Sequence, residues 1–157
     1  MVYKRVILKR GKEESLKRFH PWVFSGAIAR MDNIEEGDLV TVYDHEGNLI
    51  GNGHYQIGSI AVRILTFDDT EIDSAFFVKR LTEAYKMRQA LGLSRPDNNA
   101  FRLVHGEGDS LPGSAVEVNG STAGMQAHSP GMHFARNLIA DALTQLPNGV
   151  VKNVYYK

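Results

Sequence analysis

Short apolar runs alternate with polar turns through the first seventy residues. The runs are rich in aliphatic and β-branched side chains and cover residues 6–8, 39–43, 49–50 and 60–65. Their lengths are typical of strands. Residues 44–48 (DHEGN) carry a glycine that can take positive φ, which predicts a hairpin. Gly51, Gly53 and Gly58 are predicted turn residues. Strands at this spacing predict a small β-barrel over residues 1–70.

The hydrophobic period changes at Asp73. Apolar side chains then recur at intervals of three and four residues as far as Leu91. This pattern predicts a helix over residues 73–92, capped by Asp73 or Ser74 and ended by Gly92. The polar residues 94–99 follow the helix, and we expect them to form a linker or the edge of a domain.

The pattern of strands returns after this breaker. Apolar runs cover residues 101–105, 115–118 and 122–127, and Asn119-Gly120 predicts a hairpin between the last two. Residues 129–146 have the period of an amphipathic helix, and residues 150–156 alternate as a strand. The chain is therefore predicted to be α+β, with a barrel followed by a strand–strand–helix–strand domain over residues 71–157.

Composition excludes several classes of site and location. The chain has no cysteine, which excludes disulfides, thiolate metal sites and a catalytic thiol. Its six histidines show no metal-ligand spacing, so no metal site is expected. No apolar run is long enough to span a membrane and no secretory signal is visible, so we expect a cytoplasmic protein without a membrane partner.

The net charge of zero conceals a strong asymmetry along the chain. Residues 1–20 carry seven basic and two acidic groups, which give +5, whereas residues 21–72 carry −7 and residues 73–95 carry +3. The N-terminal arm continues into aromatic residues. This mixture suits single-stranded nucleic acid, because cations neutralise phosphates and aromatic rings stack on unpaired bases. The candidate RNA-binding residues are Lys17, Arg18, His20, Trp22, Lys79 and Arg80.

The aromatic residues of the arm also have a simpler interpretation. Trp22 and Phe24 could pack into the core of the barrel, and we expect at least one of them to do so. Lys17 and Arg18 are expected to stay in solvent.

A polar loop at residues 105–113 contains two carboxylates. Glu107 and Asp109 could do acid–base work or hold a cation. Alternatively, both could accept backbone N–H groups in a glycine-rich turn. The glycines here and at residues 51–58 lack the spacing of a dinucleotide-binding loop and are followed by strand patterns, so neither cluster is expected to hold phosphates.

Several segments together resemble one family, the class I SAM-dependent rRNA methyltransferases that modify carbon 5 of cytosine. Residues 20–26 (HPWVFSG), 36–40 (EGDLV), 51–55 (GNGHY) and 63–65 (RIL) resemble its N-terminal PUA domain. The second half resembles its central domain. The residues that carry this second resemblance are 102–109 (RLVHGEGD), 111–113 (LPG), Gln126, Ser129 and residues 131–132 (GM).

The resemblance implies a fold and a function. It implies a PUA-like barrel at residues 1–70, a central α+β domain at residues 71–157, and RNA, in particular rRNA, as the partner. Members of the family continue into a Rossmann-like domain that binds SAM and supplies a cysteine nucleophile, and this chain contains neither. It is therefore expected to be an RNA-binding portion without catalytic or cofactor-binding residues of its own. In the whole enzyme, Glu107 and Asp109 would border the catalytic cleft.

Two other functions remain open from the residues alone. The chain could be a protein-interaction module that docks through the basic helix at residues 79–88, which carries Lys79, Arg80, Lys86 and Arg88. It could also be a small enzyme that uses His105, Glu107 and Asp109.

Overall fold

The computed structural model describes residues 2–94 and 100–157. Their contacts divide them into two compact units: Met1–Ile72 with Ser129–Gly131, and Asp73–His128 with Met132–Lys157. All but the first residue of the predicted linker at residues 94–99 lies outside the described part of the chain.

The first unit is built on one six-stranded sheet. Its strands are β1 (Lys4–Leu8), β2 (Trp22–Phe24), β3 (Ile28–Met31), β4 (Leu39–Tyr43), β5 (Leu49–Tyr55) and β6 (Ile60–Thr66). Their order is β2-β6-β5-β4-β1-β3, and β1 and β4 are the one parallel pair among these strands. The sequence predicted β1, β4, β6 and the start of β5 but missed β2 and β3.

The connection between the two edge strands requires the sheet to curl. A flat six-stranded sheet would place its edges about 24 Å apart. However, only the short 3₁₀ turn Ser25–Ala27 joins β2 to β3, and such a link spans at most ~14 Å. The prediction of a barrel-like first unit is confirmed in the form of this curled sheet, and the buried core of the unit contains Val6, Leu8, Val40, Val42, Val62 and Ile64.

The prediction that Gly51 and Gly53 are turn residues is wrong. Both lie inside β5 and are buried. A Cβ atom at Gly53 would lie 2.1 Å from the Arg63 carbonyl oxygen, and one at Gly51 would lie 2.2 Å from that of Thr66. These two glycines therefore allow β5 to approach the backbone of β6 closely. Gly58, at φ +139, does lie in the following turn.

His54, on the same strand, is buried and uncharged at neutral pH. Burial lowers the pKa of its imidazole to about 4. The ring packs directly on Gly131, where an added Cβ would lie 2.1 Å from Cγ of His54. Protonation of His54 therefore favours the unfolded chain, in which the imidazole is solvated.

The stability of the first unit should fall as the pH falls from about 6.5 towards 4. In this window the unfolded state binds a proton at His54 and the folded state does not, so the free energy of unfolding should decrease by about 2 kcal/mol between pH 7 and pH 4.5. Urea unfolding at several pH values measures this slope. His54→Phe should flatten the slope, whereas substitution of the exposed His45 by Gln should leave it unchanged. An equal slope in His54→Phe and the wild type would contradict the assignment.

The second unit has one four-stranded sheet and two helices of its own. The strands are β7 (Ala100–His105), β8 (Ser114–Asn119), β9 (Thr122–Ala127) and β10 (Asn153–Tyr156), in the order β10-β9-β8-β7. β10 runs parallel to β9, and the other neighbours are antiparallel. Its helices are α2 (Ser74–Ala90) and α4 (Arg136–Thr144), and a further helix, α3 (Pro130–Phe134), begins with Pro130 and Gly131 of the first unit.

The predicted helix at residues 73–92 is confirmed as α2. The Asp73 side chain accepts the Phe76 N–H at 3.0 Å, and Gly92, at φ +74, follows the helix end. The side chains Phe76, Phe77, Leu81, Ala84, Tyr85 and Arg88 are buried. Leu91 instead lies beyond the helix and is exposed.

The single helix predicted for residues 129–146 is two helices. Arg136 donates a hydrogen bond to the His133 carbonyl oxygen at 2.8 Å. This carbonyl lies in the last turn of α3, so a side chain satisfies an acceptor that a continuous helix would bond to a backbone N–H.

Candidate nucleic-acid interface

A short helix, α1 in the order of the chain (Glu14–Lys17), presents the cations of the N-terminal arm. Leu16 is buried and anchors the helix, whereas Lys17 and Arg18 are exposed, as predicted. These two cations are therefore accessible to a polyanion.

The expectation that Trp22 or Phe24 packs into the core is wrong. Trp22 is half-buried and Phe24 is 49% exposed, whereas Val23 between them is 2% exposed. Successive side chains of a strand point to opposite faces, so Val23 takes the core position and its neighbours point outwards. The sequence pattern missed this because β2 is only three residues long.

Three aromatic side chains form a row along this outer face. The ring centroids of His20 and Trp22 are 5.5 Å apart, and those of Trp22 and Phe24 are 6.3 Å apart. Both contacts are edge-to-face, which is a favourable geometry for aromatic pairs. The row therefore presents rings in fixed orientations at the surface.

A groove of about 340 Å³ lies beside this row. We call it the Trp22 groove; its lining consists of Lys12, Ser15, Leu16, Trp22, Val23, Phe24, Gly26 and Ala27. Lys12, which no sequence motif indicates as a site residue, places a cation at this otherwise largely apolar site. Aromatic walls with a neighbouring cation can stack an unpaired base and neutralise its phosphate.

The cations of α2 lie in the other compact unit and have different environments. Lys79 is exposed, whereas the Arg80 guanidinium lies 4.9 Å from the centre of the Phe76 ring and donates to the Ser110 carbonyl oxygen at 2.9 Å. Arg88 is only 9% exposed. Arg88 therefore cannot serve a docking surface on this helix as the interaction-module hypothesis required.

Arg88 and Asp109 form a buried ion pair. The two guanidinium N–H groups donate to the two carboxylate oxygens at 2.7 and 2.9 Å, and Nε of Arg88 donates to the Arg102 carbonyl oxygen at 3.0 Å. Asp109 also accepts the His105 N–H at 2.6 Å. Burial raises the pKa of Asp109, but the bonds from Arg88 and His105 outweigh it and hold the pKa below its usual value.

This pair changes the interpretation of the loop at residues 105–113. The Asp109 carboxylate accepts a backbone N–H, as one sequence-based alternative held, and it also fastens the loop to α2. Glu107 is exposed. Acid–base chemistry by Asp109 in a stand-alone enzyme is disfavoured, because the carboxylate is already committed to Arg88.

Neither of the two glycine segments fits the phosphate-binding loop of a nucleotide cofactor. Gly51 and Gly53 are pressed against the backbone of β6, and the glycines of residues 106–113 connect two strands. Neither segment provides the strand-to-helix loop on which such cofactors rest. Within residues 2–94 and 100–157 there is no cluster of metal-ligating side chains and no helix long and apolar enough to cross a membrane.

Comparison with known proteins agrees with this architecture. Residues 6–67 match the family described as PUA-like domain. A solved structure of a Streptococcus mutans protein, assigned as a SAM-dependent methyltransferase, has the same fold. It superposes with a TM-score of 0.80 at 16% sequence identity, over 99% of this chain and 41% of that chain.

The most informative relatives are bacterial enzymes. The chain is 40% identical over 145 residues to ribosomal RNA large subunit methyltransferase I of Escherichia coli strain SMS-3-5, an alignment that covers 90% of this chain and 36% of that protein. For the Klebsiella pneumoniae strain 342 protein of the same name, identity is 39% over 148 residues, with coverage of 92% and 37%. The chain thus contains a PUA-like domain and is homologous to ribosomal RNA large subunit methyltransferase I, of which it spans about a third of the length.

Proposed function

We propose that this chain is the RNA-binding portion of a cytoplasmic SAM-dependent methyltransferase that modifies carbon 5 of an rRNA cytosine. The observation that carries the proposal is the outward row of His20, Trp22 and Phe24 beside exposed cations, in a chain homologous to rRNA methyltransferases. The chain binds RNA and is not catalytic by itself. It comprises a PUA-like domain at residues 1–70 and a central domain at residues 71–157.

The aromatic row and the cations have separate tasks in RNA binding. Lys17 and Arg18, with Lys12 at the Trp22 groove, neutralise backbone phosphates. Trp22 and Phe24 stack unpaired bases, since side chains cannot enter the narrow major groove of an RNA duplex. Lys79 and Arg80 add cations from the second unit. The favoured substrate is therefore RNA with single-stranded segments.

Charge reversal of the arm should weaken RNA binding and its dependence on salt. Each lost phosphate contact removes the release of about one counterion, so Lys17→Glu with Arg18→Glu should flatten the plot of log affinity against log salt by about one to two units. Fluorescence anisotropy with a labelled single-stranded RNA at several salt concentrations measures both quantities.

A matched double variant in the other unit tests the competing surface. Lys79→Glu with Lys86→Glu carries the same change of charge on α2. If this variant loses affinity and the arm variant does not, the basic helix is the RNA-binding surface and the arm is not. If the wild-type chain binds no RNA at all, the proposal itself is wrong.

The loop at residues 105–113 has a proposed role in the whole enzyme. Exposed Glu107 would border the catalytic cleft, and the bonds of Asp109 to Arg88 and His105 would hold the loop in place for it. A glycine-rich polar loop held in this way provides a fixed edge on which a substrate can dock.

The chain alone should bind SAM no more tightly than millimolar. The reason is that neither glycine segment provides a strand-to-helix loop for the cofactor, and the chain has no cysteine for attack on a pyrimidine. In the whole enzyme, SAM supplies the methyl group. Isothermal titration calorimetry with SAM is the direct measurement, and micromolar binding by these 157 residues would show that the cofactor site lies within them.

A further inference from the structure

Phe19 combines a left-handed backbone with an exposed aromatic ring. Its φ is +64, and 72% of the residue is exposed to solvent. Positive φ brings the Cβ of a bulky residue close to the neighbouring backbone, and an exposed phenyl ring gains little from burial. Neither feature favours folding, and strained residues of this kind cluster at functional positions.

The end of α1 explains why the backbone is left-handed there. The Phe19 N–H donates to the Leu16 carbonyl oxygen at 2.9 Å, and the His20 N–H donates to that of Ser15 at 3.1 Å. These two bonds form a Schellman motif, in which the position occupied by Phe19 is usually glycine. Glycine would thus satisfy this helix end without strain, and the phenylalanine must be explained by its ring.

The ring lines a second groove of about 280 Å³. This Phe19 groove is lined by Leu16, Lys17, Phe19, Asp44, Asn48, Leu49, Ile50 and Phe67. The rings of Phe19 and Phe67 meet edge-to-face at 5.3 Å and 82°. This contact fixes the orientation of the Phe19 ring while most of its surface stays in solvent. The space suits one planar ring system better than a drug-sized molecule.

The lining of the Phe19 groove carries one cation, Lys17, and one anion, Asp44, and a second cation, Arg18, is next to Phe19 in the chain. Lys17 and Arg18 directly precede the ring and are exposed. The groove also contains Asp44, but this carboxylate accepts the N–H groups of Glu46 and Asn48 at 2.9 and 2.8 Å and is held within its own turn. A flat ring beside two cations matches a nucleotide, which joins a planar base to a phosphate.

We propose that Phe19 stacks an unpaired base of the bound RNA, at a position separate from the Trp22 groove. Both grooves border Leu16, so a single strand that crosses α1 can place different bases in the two. The inference rests on the proposed RNA-binding function and adds to it a second base position and the residue that makes it.

The decisive variant is Phe19→Gly, because it removes the ring and relieves the backbone at once. We expect its affinity for a labelled single-stranded RNA of about twelve nucleotides to fall about 5- to 100-fold. The salt slope should not change, since no cation is lost. The melting temperature should stay within a few degrees of the wild type, because strain relief offsets the lost contact with Phe67.

Two further variants separate stacking from a structural effect. Phe19→Tyr keeps an aromatic face and should bind RNA within about twofold of the wild type. Asn148→Gly relieves another left-handed residue, at φ +65, without removing a ring, and should leave affinity unchanged. The Lys17→Glu, Arg18→Glu variant serves as the salt-sensitive reference.

The possible results distinguish this inference from the proposed function. The wild type and Phe19→Gly could bind RNA equally while the charge-reversal variant binds more weakly. This result would mean that the chain binds RNA but that Phe19 does not stack a base, and the ring would then be a candidate contact for a protein. If Phe19→Gly loses affinity only together with a large fall in melting temperature, the role of Phe19 is structural and the inference is also overturned. If the wild type does not bind RNA, the proposed function fails as well.

Discussion

Gly53→Ala should destabilise the first unit by about 4 kcal/mol or more. The added Cβ would lie 2.1 Å from the Arg63 carbonyl oxygen and within 3 Å of the next backbone atoms of β6. Backbone cannot swing aside as a flexible side chain can, so β5 and β6 must separate and lose hydrogen bonds on both strands. In a unit of this size such a loss corresponds to a fall in melting temperature of about 15 °C or more, measurable by circular dichroism.

Gly26→Ala is the matched control for this experiment. It makes the same chemical change in the same unit, but nothing lies within 4 Å of the position a Cβ would take. Its melting temperature should stay within about 3 °C of the wild type. Equal stabilities of the two variants would mean that β5 and β6 do not approach as closely as the structure shows.

Asp109→Ala should destabilise the second unit by about 3–5 kcal/mol. The substitution leaves the guanidinium of Arg88 buried without its carboxylate, and an uncompensated buried charge is more costly than the absence of the whole pair. The His105 N–H loses its acceptor in the same step. Urea unfolding followed by circular dichroism measures this change in the free energy of unfolding.

Two control variants test whether the stability lost in Asp109→Ala comes from the broken ion pair. Glu107→Ala removes a carboxylate two residues away that is exposed, and should change stability by no more than about 0.5 kcal/mol. The double substitution Arg88→Met, Asp109→Leu removes both charges and should recover much of the loss. If Asp109→Ala and Glu107→Ala are equally stable, the ion pair contributes nothing and both residues belong to an ordinary turn.

These experiments also separate folding from function in the loop at residues 105–113. In the sequence, Glu107 and Asp109 form one candidate pair because they are two residues apart. The structure gives them different environments, since one side chain is in solvent and the other is 3% exposed against Arg88. A loss of enzyme activity in an Asp109 variant would therefore have to be corrected for lost stability, whereas one in a Glu107 variant would support the proposed position of this residue at the catalytic cleft.

Local signals in the sequence determined most of the regular structure. The capping Asp73, the period of α2 and the terminal Gly92 each act within one helix, and the hairpin at Asn119-Gly120 depends on two adjacent residues. These features do not depend on residues that are distant in the sequence. The exposure of Lys17 and Arg18 could also be predicted from the residue types alone, because charged side chains rarely enter a core without a partner.

Only the tertiary structure decided the features that depend on distant residues. Gly53 lies in a strand because β6 approaches it from ten positions further along the chain, and Asp109 is buried because Arg88, 21 residues away, is there to pair with it. The sequence gives no sign of either partner, since its periodicity reports which face of an element is apolar and not which atoms face it. Trp22 points outwards for the same reason, because the sheet placed Val23 in the core.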